Sequence, residues 1–138
     1  MAEKKDTFVN VIKFDREKIN DEMQKHPEDL YYFGRKYEVV WNKLAALELK
    51  LEETEALVAS QYRNKYKRNK EKPSETAIKD MVKASTEIRE LKQEVLKYKK
   101  LLRLAKLKME VLKVKGEKMT NISHNIREEK KRTNINRT

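Results

Sequence analysis

Two runs of residues spaced alternately three and four apart constrain this chain more than any other feature. The first is Leu30, Phe33, Tyr37, Val40, Leu44, Leu47, Leu51, Thr54 and Val58. The second is Met81, Ala84, Ile88, Leu91, Val95, Tyr98, Leu102, Ala105, Met109, Leu112, Gly116 and Met119. This spacing draws a narrow apolar seam along one helix face at coiled-coil period. A single helix cannot bury such a seam against itself, so each run needs a partner helix.

Composition supports the same class. Charged residues make up 41% of the 138 residues and hydrophobic ones 38%, against typical values of about 25% and 45–50%. A large globular core is excluded; a narrow seam, or a core shared with other chains, is not. Two Gly and two Pro leave little of the turn chemistry that a sheet requires. The expected fold is all-α: a long helical hairpin or coiled coil with a short N-terminal helix, assembled into a homo-oligomer. Assembly is expected because Leu101, Leu104, Val111 and Val114 add a second apolar stripe beside the seam. A strand over 101–115 fits less well, because Leu101-Leu102 and Val111-Leu112 break a two-residue period.

The breaks divide the chain into elements. Phe8, Val9, Val11, Ile12 and Phe14 form an apolar group too short to assign by period. Asp15 is placed to cap a short helix over about 15–25. Pro27 is expected to end it and to open the next helix, over about 27–67, with Glu28 and Asp29 in its first turn. Pro73 interrupts the helical pattern, and Ser74 can cap a third helix over about 74–119. A turn at 68–74 allows an antiparallel hairpin. A C-terminal helical segment is a candidate near 119–130. These elements read as one helical domain over 1–126, followed by a frayed basic tail over 127–138.

Charge is unevenly distributed. The chain has 34 Lys/Arg and 23 Asp/Glu, a net +11. Residues 1–60 carry ten basic and thirteen acidic groups, net −3, whereas residues 61–138 carry twenty-four and ten, net +14. The segment 61–72 alone has six basic groups and one acid, net +5. A basic back half points to a polyanion partner, and the acidic surface of residues 15–29 offers a separate protein contact. Solubility of a Lys-rich helix is the plain alternative.

Catalytic signatures are lacking. There is no glycine-rich phosphate loop, no Gly-x-Ser-x-Gly turn and no His-Glu-x-x-His. No cysteine is present, and the histidines are His26 and His124, which removes thiolate sites and a histidine-rich zinc site within one chain. His124, between Ile122 and Ile126, reads as a helix-surface residue. No enzyme activity and no cofactor or metal are expected. No run reaches the 18 apolar residues of a membrane span, and the N-terminus has no signal-peptide pattern. A cytoplasmic protein without membrane contact is expected.

The segment Tyr62-Arg63-Asn64-Lys65-Tyr66-Lys67-Arg68 carries the most pointed chemistry. Tyr62 and Tyr66 stand four apart on one helix face, with Arg63 and Lys67 in an adjacent row and Lys65 and Arg68 extending the positive surface. Single strands are held by cations that track phosphates and by rings on which bases stack. Tyr62 reads equally well as a continuation of the seam. Lys99, Lys100, Arg103 and Lys106 are candidates to extend the cationic track.

These residues resemble the UvsY-type recombination mediators of tailed phages over about Phe14 to Arg132. The points of similarity are an acidic N-terminal helix, a Leu/Glu-rich helix ending in Tyr62-Arg63-Asn64-Lys65-Tyr66, a proline-containing break and a long Leu/Lys helix. Lys118, Ile122 and Ile126 close the pattern, with Lys118-Met119-Thr120 where the family tends to have Arg-Gly-Phe. The resemblance implies a helical homo-oligomer that binds single-stranded DNA. It further implies a protein that helps load a RecA-like recombinase onto DNA covered by a single-strand-binding protein. Arg63 and Lys65 match the basic positions of the family string. The rival reading is a coiled-coil scaffold or assembly chaperone of a phage, with incidental positive charge.

Overall fold

The structure, a computed structural model, describes the backbone of residues 8–137 and the side chains of residues 8–134. Residues 8–12 are helical, and a 3-10 turn at Arg16–Lys18 leads into α1 (Ile19–Arg68). α2 spans Glu75–Ala84 and α3 spans Thr86–Arg137. Among the described residues there is no strand, and 101–115 lies within α3. The fold is all-α, as the seams require. The chain divides into two compact units. One comprises the residues up to Tyr37 together with those from Leu104 onward, and the other is Glu38–Arg103.

In the Glu38–Arg103 unit, α1 and α3 run antiparallel through their seams. Leu44 and Val58 of α1 and Ile88, Leu91 and Val95 of α3 are buried. Each such burial contributes about 1.5–3 kcal/mol. Thr54, the polar seam member, donates its hydroxyl to the Lys50 carbonyl at 2.7 Å and so brings no unpaired group into the seam. α2 adds Ile78 and Val82, which form one cluster with Val58 and Ile88.

The turn between α1 and α2 is built by backbone capping. The Glu71 amide donates to the Tyr66 carbonyl at 2.9 Å and the Lys70 amide to the Lys67 carbonyl at 3.2 Å, a Schellman arrangement. Lys70 occupies the left-handed position at φ 58°, where glycine is the usual residue. Ser74 caps α2 as expected, accepting from the Ala77 amide at 3.1 Å.

The expected third helix is divided at Ser85. This residue adopts extended backbone (φ −60°, ψ 129°), its amide closes α2 on the Met81 and Val82 carbonyls, and its own carbonyl accepts from Arg89. One residue thus ends one helix and starts the next. The bend lets Val82 and Ile88 both join the core cluster.

In the other unit, Asp15 caps the 3-10 turn by accepting from the Glu17 amide at 3.2 Å. α1 then continues through Pro27, correcting the expected break between 25 and 27. An interior proline costs about 3 kcal/mol. Burial of Ile19 before it and Phe33 after it on one continuous face offsets a cost of that size. Phe8 and Phe33 pack in a T-shaped pair with ring centroids 5.3 Å apart. Lys115 of α3, only 3% exposed, donates to Glu22 Oε2 at 3.1 Å and to the Val11 carbonyl. The ion pair joins α3 to α1, and the hydrogen bond to Val11 adds the N-terminal segment.

The basic tail expected to fray is helical as far as Arg137. No Gly or Pro interrupts it, Arg16 pairs with Glu129 at 3.2 Å, and Thr133 donates to the Glu129 carbonyl at 2.9 Å. Residues 127–132 are all strong helix formers, and the helix continues from them to Arg137.

Candidate nucleic-acid interface

Helix α1 brings Arg63, Lys65, Lys67 and Arg68 to its C-terminal turns, where all four are exposed. Cations are favoured here by the negative end of the helix dipole. Lys70 and Lys72, in the turn that follows, are exposed as well. Among the described residues, Lys65, Lys67 and Arg68 form no ion pair. Arg63 does form one: its Nη2 donates to Glu75 Oε2, in the first turn of α2, at 2.8 Å.

The two rings are placed differently from the stacking expectation. Tyr62 is half-buried and packs against the Val58, Ile78, Val82 and Ile88 cluster. It is the continuation of the seam. Tyr66 is also half-buried, and its hydroxyl donates to Met81 Sδ at 3.5 Å. Helix α2 folds back onto the face that carries both tyrosines, so neither ring stands free as a platform for a base.

Within the Glu38–Arg103 unit, Lys99, Lys100 and Arg103 are not brought to the first group. Lys43 Nζ lies 5.0 Å from the Tyr98 ring centroid, so Lys99, Lys100 and Arg103 flank that level of α1. About 20 residues of helix, or roughly 30 Å, separate Lys43 from Arg63. Lys99, Lys100 and Arg103 are exposed in the Glu38–Arg103 unit; Lys106, also exposed, belongs to the other unit.

Three lysines that the sequence reading passed over lie closer. Arg63, Lys79, Lys83 and Lys92 line a cleft of about 330 Å³, together with Glu55, Ala59, Glu75, Ile78 and Val82. Lys79 and Lys83 are four apart on α2 and exposed, and Lys92 reaches in from α3. The signal was the Ser85-Thr86-Glu87 sequence, a capping residue followed by an acidic first turn. Read as a helix start, it isolates α2 as a short element that brings its lysines to the end of α1.

Among the described residues, no group of three or more His, Cys, Asp or Glu is arranged to hold a metal ion. Nor is any described helix long and apolar enough to cross a membrane.

No family model and no curated protein matches the sequence. The structure is similar to the crystal structure of the bacteriophage T4 recombination mediator protein UvsY. The match has a TM-score of 0.74 at 11% sequence identity, over 94% of this chain and 98% of that one. At that identity, what the two chains share is a fold.

Proposed function

We propose that this chain is a non-enzymatic recombination mediator that binds single-stranded DNA through the cations at the end of α1. The observation that carries the reading is the exposed cations that end α1, Arg63 with Lys67 on one face and Lys65 with Arg68 on another, in a fold like that of a phage recombination mediator. Phosphates of the strand contact Arg63, Lys65, Lys67 and Arg68, and counterion release supplies most of the affinity. Lys99, Lys100, Arg103 and Lys106 act as outlying contacts for a longer strand. Tyr62 and Tyr66 hold the turn in place.

The partners are other copies of the chain, a RecA-like recombinase and a single-strand-binding protein. Self-association is supported by apolar side chains left in solvent. In the first unit, Leu104, Leu107 and Val114 of α3 are 56%, 54% and 51% exposed. Light scattering reads the assembly directly.

The test of the mediator role is recombinase filament assembly on DNA precoated with single-strand-binding protein, with and without this chain. Faster assembly in its presence, lost in Arg63→Ala/Lys65→Ala, is the expected result. A protein that self-associates but binds no single strand at low salt is a coiled-coil scaffold, and the mediator reading then fails.

A further inference from the structure

We infer that the cleft between α1, α2 and the start of α3 seats one nucleotide of the bound strand, with its base on an apolar floor. The inference rests on the single-stranded DNA reading and adds to it a place for a base. Ala59, Ile78 and Val82 form the floor, while Arg63, Lys79, Lys83 and Lys92 outnumber Glu55 and Glu75 around them. A volume of about 330 Å³ falls at the lower end of the roughly 300–1,000 Å³ usual for small-molecule sites. Apolar floor and cationic rim match the two halves of a nucleotide, a flat weakly polar base and an anionic phosphate.

The arrangement also meets a need that the tyrosines leave open. Unpaired strands are usually gripped on both phosphate and base, and here α2 has covered the two rings nearest the cations. The same element creates the cleft beside them. Arg63 lines the cleft and shares a helix face with Lys67, so a strand held by these two cations passes the cleft mouth. At that mouth the Glu75 carboxylate holds Arg63 as a phosphate oxygen would.

The test compares two oligonucleotides of equal length and charge, one with bases and one abasic throughout, bound to the full chain at low salt. The base-containing strand is expected to bind at least about fivefold more tightly, the lower end of what one stacked base contributes. Ala59→Phe, which fills the floor, and Lys79→Ala/Lys83→Ala are each expected to reduce that ratio toward one, with helicity retained by circular dichroism. Equal binding of the two strands by the wild-type chain overturns the cleft inference and leaves the cationic reading intact. Base preference that survives in a folded Lys79→Ala/Lys83→Ala variant and in a folded Ala59→Phe variant overturns it too. Binding of neither strand overturns the single-strand reading and this inference with it. Binding of a poly-glutamate peptide in preference to either strand, dependent on Lys79 and Lys83, assigns the cleft to an acidic protein segment and overturns the nucleotide.

Discussion

Arg63 and Glu75 meet across the α1–α2 turn, Nη2 to Oε2, at 2.8 Å. The pair is exposed, so it adds only a few tenths to about 1 kcal/mol to stability. Its weight falls on binding, because a strand phosphate must compete with Glu75 for the guanidinium. Glu75→Gln is therefore expected to tighten single-strand binding by about two- to fivefold at constant salt. Fluorescence anisotropy measures this, and unchanged or weaker binding contradicts the competition.

Lys70 carries backbone strain that glycine relieves. Its φ of 58° costs a β-carbon-bearing residue roughly 1 kcal/mol. Lys70→Gly is expected to raise unfolding stability by about that amount in urea melts. A loss of stability shows that the Lys70 side chain contributes more than its backbone position costs.

His26 links stability to pH. Burial lowers its pKa first, the Lys115 ammonium lowers it further, and the carboxylates of Asp29 and Glu22 oppose the shift without reversing it. Between the lowered folded value and the ordinary 6.5, the unfolded chain binds the proton more readily. Stability is thus expected to fall as the pH drops through 6.5 and to level off below the folded value. His26→Gln is expected to flatten that part of the profile in melts between pH 8 and 5. A variant with the wild-type slope assigns the effect to another group.

Gly116 and His26 are coupled by contact. A β-carbon at position 116 lies 2.8 Å from His26 Nε2, too close to be accommodated without moving the ring. Alanine gains about 1 kcal/mol of helix propensity over glycine, so the two effects oppose each other. Gly116→Ala is expected to be neutral or destabilising in the wild type and stabilising by about 1 kcal/mol in a His26→Ala background. The same gain in both backgrounds means that the ring moves freely.

Much of this fold was legible because burial follows the three-four rule so closely. Leu44, Val58, Leu91, Val95, Leu112 and Met119 all come from the two seams, and all are buried. Propensity and local signals failed where tertiary contacts outweighed them. Pro27 reads as a stop, but a stop can be overridden when Ile19 and Phe33 are both buried across it. Ser85 reads as one more helical residue because the apolar spacing passes over it, and only its capping chemistry marks the break. The cations of the site were legible from charge density at 61–72. The fate of the tyrosines was not, since whether Tyr62 and Tyr66 face solvent depends on where α2 folds back. Lys115 was invisible as a core residue, because its burial requires Glu22 and Val11, 93 and 104 residues away in sequence.

The central claim, that the cations ending α1 hold single-stranded DNA, is tested most directly by the salt dependence of binding. Affinity for a fluorescent single strand is measured across a salt series for the wild-type chain and for Arg63→Ala/Lys65→Ala. Each phosphate contact on a single strand contributes about 0.7 to the slope of log K against log salt. Losing two contacts is expected to make the slope shallower by about 1.4 and to weaken binding at every salt concentration tested. Identical slopes and affinities for the two proteins contradict the claim.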